Sequence, residues 1–208
     1  MTPAPAADVS AVLPLAVLEA LRGLDRPAPD AFDEVHGELT AKRLGLSRTV
    51  AAEIERLERL GRRGNGVAVA ELAALLRLAT RRQDAALVFS EAGRRAARHA
   101  VQQLPTVLRV GHSTLPDGLR RSLGHVLARR LAARVFGMAL SLEAGVPVAT
   151  LAESHARVAE PGAACGFFAA ALAELLRQTT AFDGAMVHTA CRGRGDAQCS
   201  WRAATLHD

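Results

Sequence analysis

The chain has no tyrosine and one tryptophan, and aromatic residues make up 3% of it. Lys42 is its one lysine, so nearly all of its positive charge is arginine. Cysteine is scarce, with three in 208 residues: Cys165, Cys191 and Cys199. No run of 18 or more uninterrupted apolar residues occurs, so no membrane-spanning helix is expected. The N-terminus, Met1-Thr2-Pro3-Ala4-Pro5, has neither the basic region nor the apolar stretch of a secretory signal. With an odd cysteine count, that predicts a reducing, cytoplasmic compartment and thiolate–metal chemistry in place of disulfides.

What is there begins with small aliphatic residues. Half of the chain is apolar, and with so few aromatics the core must be mostly Ala, Leu and Val. That composition favours close-packed helices. The length fits one domain, or one domain with an N-terminal extension. A formal charge of +5 and a pI near 10.3 suggest a nucleic-acid partner. The arginines, however, are scattered among Asp and Glu through apparent helices. No helix-turn-helix, zinc-finger or stacking-aromatic pattern accompanies them. The reading is a solvated arginine surface and no nucleic acid.

Apolar periodicity predicts helices over residues 12–24, from Ser47 or Thr49 to Leu60, over 67–80, from Asp84 to about Leu104, and over 117–136. Gly61 is expected to stop the second, and Asp84 to cap the fourth. Leu119, Leu123, Val126, Leu127, Leu131 and Val135 form the apolar stripe of the fifth. Residues 1–9 read as a frayed leader and 27–30 as a linker. After residue 136 the period changes to two. Met138, Leu140 and Leu142, then Gly145, then Val148, Thr150, Ala152 and Ser154 predict a hairpin. A helix from Pro161-Gly162 to about Gln178 follows. Two further strands, 185–190 and 200–206, are joined across Gly193 and Gly195. The order predicts an α+β fold with helices packed on an antiparallel sheet of about four strands. It divides into a helical N-terminal extension, 1–80, and a mixed helix-and-strand region, 83–206.

The cysteines fall where this pattern places a helix start and a hairpin. Cys191 and Cys199 bracket Arg192-Gly193-Arg194-Gly195-Asp196-Ala197-Gln198, and His188 stands three residues before Cys191. Cys165 lies in the first turn of its helix, with Phe168, Leu172, Leu175 and Leu176 on the same face, so it points toward the sheet. Three thiols and an imidazole are the number and type of ligands for a closed tetrahedral zinc site. In a regular strand, His188 and Cys191 lie on opposite faces. Both face one ion only if the strand ends or bulges between them. Three thiolates and one Zn²⁺ leave a charge of −1, which Arg192, Arg194 and Arg202 are placed to offset. The competing reading is three unrelated buried cysteines acting as small hydrophobes.

Three segments, Phe89-Ser90-Glu91-Ala92-Gly93-Arg94, 165–177 and 191–201 with Gly195-Asp196 between its cysteines, together resemble the vinyl-4-reductase (4-vinyl reductase) domain family. The likeness spans about residues 83–206. It implies an α+β fold shared with Golgi-transport and nitric-oxide-sensing ligand domains, and a buried cavity for an apolar small molecule. In zinc-binding relatives the ligands are a helical Cys, an acidic residue three before the first hairpin Cys, and the hairpin pair. These fall on Cys165, His188, Cys191 and Cys199, with His188 departing from the acidic pattern and Trp201 standing where Phe is common.

The family's bacteriochlorophyll-pathway members imply a tetrapyrrole-binding or carrier protein of that pathway. Its ligand would be a Mg-porphyrin or chlorophyllide, and pigment-biosynthesis enzymes its partners. Candidate axial ligands are His99, His125 and His155, and candidate pocket aromatics are Phe136, Phe167, Phe168 and Trp201. A second reading, reduction of a ring vinyl group on divinyl (proto)chlorophyllide, needs an external reductant. The chain has no Gly-x-Gly-x-x-Gly after a strand, and zinc would leave no cysteine for an iron–sulfur cluster. A third reading is a small-molecule sensor acting through protein partners. Residues 67–80 or 117–136 offer a face for a homodimer.

Overall fold

The computed structural model describes residues 8–25, 47–106, 116–151, 162 and 164–205. The elements in order are β1 (Asp8–Ser10), α1 (Val12–Asp25), α2 (Arg48–Arg62), β2 (Gly66–Ala68), α3 (Val69–Thr80) and α4 (Ala85–Gln102). Then come α5 (Asp117–Phe136), β3 (Ala139–Glu143), β4 (Val146–Leu151), α6 (Cys165–Thr180), β5 (Gly184–Ala190) and β6 (Cys199–Thr205). Helices pack on antiparallel sheets, and the fold is α+β. β1 and β2 form a two-stranded ribbon, and the main sheet runs β3-β4-β6-β5. Both expected hairpins form, and β4 and β6 join them into one sheet.

α1 is apolar on nearly every side and is buried accordingly, packing against α2, α3 and α4. α4 packs on α6, and α6 lies against α5 and strands β5 and β6. One apolar cluster runs from Leu13 and Leu21 of α1 through Phe89 of α4 to Leu175 of α6 and Trp201 of β6. Residues 8–25 and 47–80 are thus built into the same body as the sheet. Two glycines set how closely α6 is held. A Cβ on Gly93 would lie 2.2 Å from the Phe167 carbonyl oxygen, and one on Gly124 would lie 1.9 Å from that of Thr179. Only glycine lets α4 and α5 approach the α6 backbone this closely.

Several boundaries differ from the sequence expectation. Ser47 caps α2, accepting a hydrogen bond from Val50 N at 3.2 Å. Gly61 does not stop this helix. It is buried inside the last turn against Val12, and the left-handed Gly64 makes the turn instead. Asp84 precedes α4 but makes no cap bond, because Arg82 takes its carboxylate at 2.7 Å. Asp8 and Val9, expected to be frayed, pair with β2 together with Ser10, and β2 itself takes the first residues expected of α3. On α5 only the second half of the stripe is core. Leu127, Leu131 and Val135 are buried, while Leu119, Leu123 and Val126 are exposed. α6 starts at Cys165, after a turn at Gly162. Residues 1–7, 27–30 and 152–161 lie outside the described residues, and with them His155.

Candidate metal centre

Of the two devices expected between His188 and Cys191, a strand end or a bulge, the structure has the bulge. In β5, His188 pairs with Trp201 and Ala190 with Ser200, so Thr189 is an extra residue against β6. That residue shifts the alternation by one. Met186 and Cys191 are buried and His188 is half-buried, all on the side facing α6. Beyond Cys191 the chain makes one 3₁₀ turn over Arg192–Arg194 and reverses at Gly195, whose φ of 102° excludes most side chains. Asp196 ties the loop to its base: its carboxylate accepts from Cys191 N at 2.6 Å, and its own N–H donates to Cys191 O at 3.2 Å. Cys199 returns as the first residue of β6. On the other side, Cys165 opens α6.

The three sulfurs and one ring nitrogen of His188 all lie within 4.8 Å of one another. A tetrahedral ion with metal–sulfur bonds of about 2.3 Å holds sulfurs about 3.8 Å apart, so this cluster could close on one ion with small shifts. All three cysteines are free thiols and buried. His188 Nε2 is buried and has no hydrogen-bond partner among the described residues, while the ring bonds to the backbone of Ala190. An imidazole anchored at one nitrogen and unpartnered at the other is arranged as metal ligands are. Trp201 stacks on the ring at 5.1 Å between centroids, and Phe168 packs on Trp201 at 5.8 Å.

The electrostatics fit a cation. Burial, then the neighbouring Cys199 and Cys191 sulfurs, push the Cys165 thiol far above the ordinary range. Three thiolates side by side repel one another, and a divalent ion removes that cost. Burial, with Arg194 next, lowers the pKa of His188, so the ring is neutral and has a free lone pair. The Arg192 N–H donates to Cys199 Sγ at 3.4 Å, a contact that favours the thiolate. Arg202, expected to offset the cluster's charge, pairs instead with Glu143 at 3.2 Å. The described Cys₃His group could hold a metal ion, and with four protein ligands such a site is closed.

Among the described residues, the others singled out by sequence do not line one shared cavity. Phe136, Phe167, Phe168 and Trp201 are core side chains, at most 2% exposed, and line none of the cavities below. His99 bonds Glu19 of α1 at 2.7 Å and borders a cavity of ≈ 610 Å³ near Arg62, Arg63 and Arg134. His125 borders a different cavity of ≈ 390 Å³. A third, of ≈ 460 Å³, lies between α4, α6 and β5. Its walls include Phe89, Ala169, Ala170 and Met186, with Arg94 and Arg177 among the lining residues. Sequence reasoning missed this groove. The available signal was a file of small residues on α6, Gly166, Ala169, Ala170 and Ala173, at helical spacing.

Comparison with family models, with curated proteins and with solved structures finds no match for this chain.

Proposed function

We propose that the chain is a zinc-stapled binding domain of the vinyl-4-reductase type, similar to the bacteriochlorophyll-pathway 4-vinyl reductase protein. Its cargo is a tetrapyrrole intermediate of that pathway, which it carries or presents. One observation carries the reading: the three segments of the resemblance meet in space. Gly93 of the first lies against Phe167 of the second. Cys165, at the head of the second, lies within 4.8 Å of the cysteines of the third. Other residues of the first two segments, among them Phe89, Arg94, Ala169, Ala170 and Arg177, wall the ≈ 460 Å³ groove.

The groove's chemistry suits this cargo. Alanines, Phe89 and Met186 give an apolar surface with little relief. Arg94 and Arg177 are each held by a glutamate of their own helix, Glu91 and Glu174. Each guanidinium keeps further donors for a ligand's carboxylates. A macrocycle with acidic side chains presents an apolar face and anionic edge in that arrangement. Zinc, held by Cys165, His188, Cys191 and Cys199, ties the hairpin to the helix that forms one wall. The closed ligand set gives it a structural part.

The test is titration of zinc-loaded protein with a magnesium porphyrin bearing two propionates. A Soret shift, co-elution on gel filtration, and weaker binding of the double variant Arg94→Gln/Arg177→Gln are expected. Absence of both shift and retention overturns the cargo. Elemental analysis that finds no stoichiometric zinc in protein purified without chelator overturns the staple.

A further inference from the structure

The ≈ 390 Å³ cavity beside His125 shares no residue with the groove or the metal cluster. It is bounded by α5, the β3–β4 turn, the end of α6 and β6. Val146, Pro147, Phe182 and Ala203 give it apolar walls. Two polar side chains of α5, Arg121 and His125, stand one turn apart and face it together. Neither makes a hydrogen bond or ion pair with any other described residue. Burial lowers the pKa of His125, so its ring enters the cavity neutral, with both nitrogens free for a ligand. The volume falls within the range of small-molecule sites, about 300–1,000 Å³.

The backbone around the cavity is also constrained. Ala181, one of its lining residues, ends α6 with φ of 56°, a left-handed conformation unfavourable for alanine. Strained backbone of this kind collects at ligand sites. Gly124, between the two polar residues, lets the Thr179 carbonyl seat directly on α5. That contact fixes the Arg121–His125 face against the end of α6.

We propose that this cavity binds a small aromatic carboxylate. Arg121 takes the carboxylate as a bidentate pair, a ring N–H of His125 donates to the same group, and the aromatic ring lies against Pro147 and Phe182. The site is independent of the tetrapyrrole reading and stands or falls by itself.

Isothermal titration with benzoate tests it, with benzamide and acetate as the uncharged and ringless probes. Benzoate is expected to bind saturably in the millimolar range or tighter and to move the His125 ring resonances in proton NMR. Benzamide, acetate and the Arg121→Gln variant should each weaken binding at least about tenfold, about 1.4 kcal/mol. Arg129→Gln, an exposed change on the same helix, should leave it unchanged. Folding of each variant is checked by circular dichroism. No saturation by benzoate, equal binding of benzamide, or undiminished binding to folded Arg121→Gln protein overturns the proposal.

Discussion

Helix α1 and the β5–β6 hairpin reach the same buried core by different means. Ten residues of α1 are buried, and the eight of them between Val12 and Ala20 all carry apolar side chains. The hairpin buries Met186, Cys191, Cys199, Trp201 and Ala203, but its tip, residues 193–198, is exposed. Apolar burial yields about 25 cal/mol per Å², and the tip has almost no apolar area to bury. Its holds include Asp196, the backbone bonds of the 3₁₀ turn, one N–H to sulfur contact, and whatever joins the four clustered side chains. A region closed by area loses stability gradually as area is removed, whereas one closed by a few strong bonds loses it at once.

Loss of the proposed zinc should therefore give the largest effect and the most local one. Apparent zinc-binding free energies in small finger peptides are about 10–16 kcal/mol, and much of that is folding free energy. Cys199→Ser, or treatment with a strong chelator, should abolish stoichiometric zinc. Amide-exchange protection should then fall first in residues 188–199. α1 should keep most of its protection under the same conditions. Simultaneous opening of α1 and the hairpin would erase the distinction. The reciprocal change is Leu21→Ala, at a side chain 1% exposed. It should cost about 2–5 kcal/mol, read as a lower midpoint in urea, with zinc content intact.

Between these regions stands α6, gripped by two glycines. Gly124→Ala places a methyl group 1.9 Å from the Thr179 carbonyl oxygen, a distance no packed structure tolerates. α5 must move off α6, at about 1–3 kcal/mol. Because α6 carries Cys165 at its far end, the variant sharpens the comparison. If the helix shifts as a rigid body, zinc affinity falls together with stability. If the strain stays local, only thermal stability changes.

The sequence pattern carried the hairpins, most helix phases and the four clustered Cys and His side chains, because each is a local or period-limited signal. Cys165 could be placed facing the sheet from the 3, 7, 10, 11 spacing of Phe168, Leu172, Leu175 and Leu176, all of which are buried. A strand end or a bulge was legible as a requirement, since His188 and Cys191 cannot otherwise share a face, and the structure makes it a bulge at Thr189. What sequence did not carry is tertiary. Gly61 has the composition of a stop, but Val12 packs on it and the helix continues. Asp84 has the chemistry of a cap, yet a neighbouring guanidinium outcompetes the helix N–H groups for it. The aromatics looked like pocket lining because nothing in one dimension separates a cavity wall from a filled core. Phe168 packs against both Phe167 and Trp201 instead.

The smallest expected effect concerns Glu174, which lies midway along α6, nearly buried, and joins that helix to α4. Its carboxylate accepts from Arg98 at 3.2 Å and from Gln178 at 2.7 Å, and pairs with Arg177. Burial alone would raise its pKa, but Gln178, Arg98 and Arg177 outweigh it and hold the carboxyl below the ordinary value of 4.5. The group is thus more acidic folded than unfolded. Its contribution is fully present above the unfolded pKa and is lost as pH falls through the lowered folded value. Both arginines are about half exposed, so solvent and salt screen much of the attraction. Urea unfolding of the parent and of Glu174→Gln, compared from pH 6 down to about pH 3, should show the parent losing its advantage only below the unfolded pKa. The advantage should also shrink in high salt. A gap between the two that is constant across that range would mean the carboxylate serves α6 by shape alone, as the aliphatic side chains of α1 do.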